Sequence, residues 1–183
     1  MKTKYGKVLS KLGWEIMGEF PDVKKSVVIF APHTAHIDAF YGKLGFNELG
    51  IKYLFLSKKE LFFFPMNLVM KKFGSMAVRG VTGKNAIYQV VDILNHTEEL
   101  NVVISPEGSI SKVKDWNKGF YYMAVKAQVP IVVTYLDYEN KQLGIKGIIH
   151  DLHNYDKVEQ QINVMYENVK GKNPEDFILA CKC

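Results

Sequence analysis

Residues 26–31 read SVVIFA, and residues 32–38, which follow at once, read PHTAHID. The first stretch is a continuous apolar run rich in β-branched residues, which predicts a strand buried on both faces of a sheet. The second stretch is polar and opens with a proline, which predicts the end of that strand. Similar apolar runs at 53–56, 101–105 and 130–136 predict three more buried strands.

Helical patterns separate these strands, at residues 37–48, 59–73, 83–96 and 117–128. Strands and helices in alternation predict the α/β class, with a largely parallel central sheet flanked by helices. A later strand is predicted at 142–150, and a terminal helix with a polar face at 156–170.

The 183 residues contain no internal repeat, low-complexity segment or long linker, so we expect a single domain over 1–183. Its core lies at 26–136, and residues 1–20 are expected to include an amphipathic helix. No apolar run approaches the roughly 20 residues of a spanning helix, and the N-terminus lacks the apolar core of a signal peptide. These features predict a cytoplasmic protein. The two cysteines, Cys181 and Cys183, are too close in sequence to indicate a disulfide framework.

The formal charge is +5, and Arg79 is the only arginine among 24 basic residues. Arg79 is therefore the one side chain that can hold an oxyanion with a planar, two-pronged fork. A modest positive charge suits an anionic membrane, an anionic substrate or nucleic acid. No base-stacking or groove-reading motif accompanies the charge, so nucleic acid is not an expected partner.

Polar residues follow two of the predicted strands, at 32–38 and at 105–109 (SPEGS). Ligands of parallel sheets gather at the carboxyl ends of strands. His33 and Asp38 would point about 140° apart on one continuous helix. They meet only if His33 lies in the turn before the helix and Asp38 in its first turns, with Thr34 as the predicted N-cap. An Asp beside a His makes a general base able to deprotonate an alcohol.

Three other interpretations of the 32–38 segment stay open at this point. His33 and Asp38 could be a solvated side chain and a helix cap, and His36 is a rival base whose expected role is lining or packing. His33, His36 and Asp38 could also supply three metal ligands. Their spacing, H-x-x-H-x-D, is not the H-x-H-x-D-H pattern of metallo-hydrolases, so no metal is expected.

Four blocks in this order resemble the glycerolipid acyltransferases, whose best-known members are the 1-acyl-glycerol-3-phosphate acyltransferases. HTAHID at 33–38 matches the H-x-x-x-x-D signature, and KKEL at 58–61 with Arg79 resembles the second block. The family's P-E-G block is present at 106–108. The fourth block, a K-G pair before an apolar strand, appears at 118–119 and 129–132.

The resemblance implies an O-acyltransferase. His33 would take the proton of an acceptor hydroxyl while that oxygen attacks the thioester carbon of acyl-acyl-carrier protein or acyl-coenzyme A. Asp38 would hold the imidazole, and neither an acyl-enzyme, a metal nor a cofactor is expected. Arg79 and Lys58 would bind the acceptor's phosphate. Glu107, Gly108 and Ser109 would shape the acceptor site.

One departure concerns the acceptor. The family's third block usually continues Thr-Arg-Ser after the glycine, whereas this chain reads Ser109-Ile110-Ser111. Isoleucine cannot hold a phosphate, so the expected acceptor is either a lysophospholipid such as 1-acyl-glycerol-3-phosphate or a lyso-lipid with another head group, such as an amino-acid lipid. A non-catalytic module that binds lipid or acyl-carrier protein is a further alternative.

Such an enzyme is expected to be peripheral on the inner face of the cell membrane. Residues 1–17, a basic amphipathic segment containing Trp14, are one candidate contact. They could equally cap the core. The favoured candidate is 61–70 (LFFFPMNLVM), because lysines bracket its aromatic residues and can contact anionic head groups.

Overall fold

A computed structural model describes residues 3–59, 62–72, 74–78 and 84–180. The strands are β1 (Glu15–Met17), β2 (Lys25–Ala31), β3 (Tyr53–Lys58), β4 (Ser75–Val78), β5 (Leu100–Ile104), β6 (Ile131–Asp137) and β7 (Gln142–Ile149). The helices are α1 (Lys4–Lys11), α2 (Ile37–Glu48), α3 (Met66–Lys72), α4 (Lys84–His96), α5 (Gly119–Ala127) and α6 (Tyr155–Tyr166), followed by a 3-10 turn at Pro174–Asp176.

The strands form one seven-stranded sheet in the order β1-β7-β6-β2-β5-β3-β4. Every neighbouring pair is parallel except β6 and β7, which run antiparallel through a register that pairs Ile131 with Ile149. The α/β class with a largely parallel sheet is therefore confirmed. All five predicted strands are present, and their ends lie within two residues of the predicted ends.

The sheet is covered by helices on both faces. Alternate residues of β2 point to opposite sides, so that Val27 and Ile29 join one core cluster while Val28 and Phe30 join the other. The first cluster includes buried residues of α4, α5 and α6, and the second includes residues of α1 and α2. Burial on both faces explains why β2 reads as a continuous apolar run.

Two glycines let α2 approach the sheet closely. A Cβ on Gly45 would lie 2.2 Å from Leu143 Cδ1, and a Cβ on Gly42 would lie 2.9 Å from Phe30 Cζ. Because Gly has no side chain, the helix packs with its backbone against β2 and β7. This close contact fixes the N-terminus of α2, where the predicted site begins.

The predicted amphipathic helix over residues 1–17 is wrong in its second half. Helix α1 ends at Lys11, Gly13 takes a positive φ of 79°, and Trp14 is buried. Residues Glu15–Met17 then form the edge strand β1, which pairs in parallel with β7. The pairing partner lies more than 120 residues away along the chain, so local periodicity could not reveal this strand.

The predicted helix over residues 59–73 is also shorter than expected. Helix α3 spans only Met66–Lys72, and Pro65 immediately precedes it. A proline disfavours helical geometry at the residue before it, here Phe64, and it starts helices more readily than it continues them. The short strand β4, which was not predicted, follows α3. No helix within the described ranges is long and apolar enough to span a bilayer.

Candidate functional site

The carboxyl ends of three adjacent strands bring the candidate site together. Strand β2 lies between β5 and β6, and all three are parallel, so they end at the same edge of the sheet. His33 follows β2, Glu107 follows β5, and Tyr138 follows β6. The two polar segments that the sequence singled out therefore face each other across the end of β2.

Asp38 is the most buried member of the site, with no exposed side-chain surface. Its Oδ2 accepts hydrogen bonds from the backbone N–H groups of Thr34 (2.9 Å) and Ala35 (2.8 Å). Its Oδ1 accepts a hydrogen bond from the hydroxyl of Tyr138. A buried carboxylate is costly unless its oxygens are hydrogen-bonded, and here both oxygens are.

His33 lies in the turn before α2, as the sequence required for a meeting with Asp38. The two side chains approach with Nδ1 of His33 at 3.4 Å from Oδ2 of Asp38. This separation is longer than an ordinary hydrogen bond, and Nδ1 has no hydrogen-bond partner within the described part of the chain. The ring is 23% exposed. Because Nδ1 faces Asp38, Nε2 on the opposite side of the ring is the nitrogen available to a substrate proton.

Thr34 does not cap α2, contrary to the prediction. The N-cap position is His36, whose side chain makes no capping hydrogen bond. Thr34 is held instead by Asn173: its Oγ1 accepts from the Asn173 backbone N–H (3.1 Å) and its carbonyl from Asn173 Nδ2 (2.9 Å). The segment near the C-terminus thus fixes the turn that carries His33, a role that no sequence pattern indicated.

His36 is exposed, so the packing role expected as one alternative is wrong. It occupies the start of α2, where its side chain lies in solvent rather than against the sheet. Within the portion of the chain that the structure describes, no three His, Cys, Asp or Glu side chains are grouped to hold a metal ion.

Glu107 connects the second polar segment to the first. Its side chain is 4% exposed, and its Oε1 accepts a 2.9 Å hydrogen bond from the backbone N–H of His33. Its Oε2 has no hydrogen-bond partner among the described residues. Burial raises the pKa of Glu107 from 4.5 to about 7, against the opposing effect of the His33 N–H. Glu107 is therefore a buried carboxyl that titrates near neutral pH.

Gly108 has a backbone that a larger residue would strain. Its φ is +65°, and a Cβ there would lie 2.9 Å from Nδ2 of Asn117. The loop is tied by hydrogen bonds from Gly108 N to the Ser105 carbonyl (3.1 Å) and from Asn117 N to the Pro106 carbonyl (2.9 Å). This glycine sets the path of the loop, and the loop holds the Glu107 carboxyl within hydrogen-bond distance of the His33 backbone N–H.

The remaining predicted substrate residues are only partly described. Ser109 is half-buried, and its Oγ accepts a hydrogen bond from the backbone N–H of Ser111 (3.2 Å). Ile110, which stands where the family has arginine, is also half-buried. Arg79 lies outside the described residues, and Lys58, the last residue of β3, is described by its backbone only.

Tyr138 is the site residue that the sequence analysis missed. Its ring packs edge-on against Trp14, with centroids 5.0 Å apart, and against Tyr41 at 6.1 Å. Trp14 is 3% exposed, so of the two roles left open for the N-terminal segment, this residue takes the one in the core. A signal was present: Tyr138 comes two residues after the end of the predicted buried strand at 130–136, the region in which parallel sheets carry functional residues.

Comparison with known proteins identifies the family and supports the fold. Residues 14–136 match the family model described as Acyltransferase. The fold is similar to the crystal structure of the 1-acyl-sn-glycerophosphate (LPA) acyltransferase PlsC from Thermotoga maritima, with a TM-score of 0.58 and 18% sequence identity. The match covers 91% of this chain and 74% of that one. No curated protein sequence matches the chain.

Proposed function

The chain belongs to the acyltransferase family, and on that premise we propose that it acylates the hydroxyl of a lysophospholipid such as 1-acyl-glycerol-3-phosphate. The acyl donor is the thioester of acyl-carrier protein or of coenzyme A. The observation that carries the proposal is the placement of His33 Nδ1 3.4 Å from Asp38 Oδ2 at the carboxyl edge of the sheet. This arrangement supplies a general base for an alcohol.

The reaction is a direct transfer. Nε2 of His33 accepts the proton of the acceptor hydroxyl as that oxygen bonds to the thioester carbonyl carbon. The tetrahedral adduct then collapses, the carbon–sulfur bond breaks, and the departing thiolate takes the proton from the imidazolium. Asp38 stabilises that imidazolium and holds the ring in its orientation. The products are an ester and a free thiol, and His33 returns to its starting state.

The acceptor head group depends on which cations surround it. Ile110 removes the arginine that the family resemblance would place in this loop, which leaves Arg79 and Lys58 as the proposed phosphate ligands. Arginine binds phosphate through two parallel hydrogen bonds, whereas lysine acts as a point charge. We therefore treat a non-phosphate lyso-lipid, such as an amino-acid lipid, as the second candidate acceptor, and Ile110 is the observation that favours it.

Exposed apolar side chains that follow the carboxyl ends of β2 and β3 support contact with a membrane. Ile37 and Phe40 at the start of α2 are 38% and 39% exposed, and Phe63, Phe64 and Leu68 are 58%, 79% and 59% exposed. We call these five residues the apolar rim. The connections β2-α2-β3 and β3-α3-β4 both move toward the β4 edge of the sheet. Because such crossovers are right-handed, α2 and α3 lie on the same face of the sheet.

Exposed lysines stand close in sequence to residues 63–68 of the rim, among them Lys59 and Lys71. Lysines beside apolar side chains suit a surface of anionic lipid, because the apolar groups enter the interface while the cations meet the head groups. We propose that the enzyme binds peripherally to the cytoplasmic membrane face through this rim. Residues 63 and 64 are its most exposed aromatics and would insert first.

The direct test is release of free thiol from acyl-acyl-carrier protein and from acyl-coenzyme A in the presence of a panel of lyso-lipids. The wild-type protein is compared with His33→Ala and with His36→Ala, a matched control that removes an exposed imidazole three residues away. We expect acceptor-dependent release by the wild type and by His36→Ala, and loss of at least about 100-fold in His33→Ala.

Each outcome of this assay has a definite meaning. Turnover with 1-acyl-glycerol-3-phosphate supports the phosphate-bearing acceptor, and turnover only with an amino-acid lyso-lipid supports the second candidate. Equal activity of the wild type and His33→Ala would refute the proposed base. Binding of acyl-carrier protein or lipid without any thiol release would instead favour a non-catalytic binding module.

A further inference from the structure

We propose that Tyr138 is a positioning residue of the reaction: its hydroxyl fixes the Asp38 carboxylate in the orientation that faces His33. This inference rests on the proposed function, because it assigns a role within the same site. Tyr138 lies 100 residues beyond Asp38 in the sequence and reaches it from the carboxyl end of β6.

The two oxygens of Asp38 have different partners. Oδ2 is bound by the backbone N–H groups of Thr34 and Ala35 and is the oxygen nearest His33. Oδ1 is bound by the Tyr138 hydroxyl. Two backbone donors hold Oδ2 from one side, which restricts the rotation of the carboxylate about the bond that joins it to Cβ but does not by itself fix it. A donor on the second oxygen fixes that rotation, and with it the direction of Oδ2 toward the imidazole.

Tyr138 is itself held on several sides, so it can position another group. Its ring contacts the buried Trp14 in an edge-on arrangement, and its backbone N–H donates to the carbonyl of Lys170 (2.9 Å). Burial and, next, the hydrogen bond to Asp38 raise the pKa of the Tyr138 hydroxyl above its ordinary value. The hydroxyl therefore stays protonated throughout the neutral range and can donate its hydrogen bond to Asp38.

The geometry separates Tyr138 from a residue that binds substrate. Its hydroxyl is directed to the buried Oδ1, on the far side of the carboxylate from His33, and a substrate hydroxyl would approach Nε2 of that ring. A residue that acts only through Asp38 changes the turnover rate without changing how tightly substrate binds. Its effect also disappears when Asp38 has already lost its function.

The test compares Tyr138→Phe with Tyr41→Phe, which removes a hydroxyl from the same aromatic group while keeping its ring contact with Tyr138. We expect Tyr138→Phe to lower kcat about 10- to 100-fold with KM unchanged within about twofold, and Tyr41→Phe to change neither. In an Asp38→Asn background, Tyr138→Phe should cause no further loss of kcat.

A readout that needs no turnover accompanies the kinetics. The amide protons of Thr34 and Ala35 are bound to Asp38 Oδ2, so hydrogen exchange at these two amides reports the position of the carboxylate. We expect exchange at both to accelerate at least about tenfold in Tyr138→Phe and to stay unchanged in Tyr41→Phe, at equal thermal stability of the rest of the protein.

Three results would overturn the inference: full kcat in Tyr138→Phe, a raised KM at constant kcat, or losses that add to those of Asp38→Asn. Unchanged exchange at Thr34 and Ala35 would overturn it as well. Failure of the proposed function is distinguishable, since it appears as absence of thiol release by the wild type. The exchange measurement still decides in that case whether Tyr138 holds Asp38.

Discussion

The backbone N–H of His33 donates a 2.9 Å hydrogen bond to Oε1 of Glu107. This contact joins the turn after β2 to the loop after β5. It also binds a buried carboxyl to the backbone of the residue that we propose as the base. The arrangement makes the stability of the site depend on the protonation of Glu107.

The wild-type protein should lose stability as the pH rises from acidic to neutral, and Glu107→Gln should reduce that loss. The folded pKa of Glu107, about 7, lies above the ordinary value of 4.5 because burial disfavours the charged form. Below pH 4.5 the group is protonated in both states and has no effect. Between pH 4.5 and 7 the unfolded state loses its proton first, so wild-type stability falls as the pH rises.

A shift of about 2.5 pKa units corresponds to about 3 kcal/mol at most. Urea unfolding at pH 4.5 and at pH 8 measures this quantity for both proteins. The wild type should lose up to about 3 kcal/mol more than Glu107→Gln over that interval. Parallel pH profiles of the two proteins would show that folding does not raise the pKa of Glu107.

Asp38→Ala should lose activity and stability together, whereas Asp38→Asn should lose mainly activity. Alanine leaves the N–H groups of Thr34 and Ala35 and the hydroxyl of Tyr138 without an acceptor, at a cost of about 1–3 kcal/mol for each group that stays buried. Asparagine keeps an acceptor oxygen but not the charge that stabilises the imidazolium.

Thiol release and thermal unfolding separate the two effects of the Asp38 substitutions. We expect kcat to fall at least about 100-fold in both variants, with a large loss of thermal stability only in Asp38→Ala. Asp38→Asn with wild-type turnover would contradict the role of the carboxylate charge in the reaction.

Gly108→Ala should be more destabilising than Gly50→Ala. Both glycines have a positive φ, +65° and +69°, so alanine costs about 1–2 kcal/mol at either position through the backbone alone. At Gly108 the new Cβ also lies 2.9 Å from Asn117 Nδ2, whereas nothing lies within 4 Å at Gly50. Chemical unfolding of both variants isolates the contact with Asn117, and equal losses would mean that the loop shifts freely.

Removing the exposed aromatics of the apolar rim should weaken binding to anionic vesicles. Phe63→Ser with Phe64→Ser deletes its two most exposed rings, while Val164→Ser, on α6 at the opposite face of the sheet, is a control of similar exposure at 73%. Sedimentation with vesicles containing phosphatidylglycerol should show at least about tenfold weaker binding for the double variant alone. Equal losses for Val164→Ser would argue against the rim as the contact.

Much of the framework could be predicted from local sequence. The apolar run of β2 identified a strand buried on both faces, and α2 begins and ends at the predicted residues. The break between them placed His33 in a turn and Asp38 in the first turn of the helix, which is why the two side chains meet. These features depend on neighbours within a few residues, where hydrophobic period and proline are informative.

What the sequence alone determined was the alternation of buried strands with helices, and the two polar segments that end β2 and β5. Tertiary structure decided which distant groups complete them: Tyr138 reaches Asp38 across 100 residues, and Asn173 holds Thr34 across 139. It also decided between the two roles left open for Trp14, which lies in the core and not at a membrane interface. The physical reason is that these contacts depend on strand order and packing between segments far apart in the chain, which leave no periodic pattern in the residues beside them.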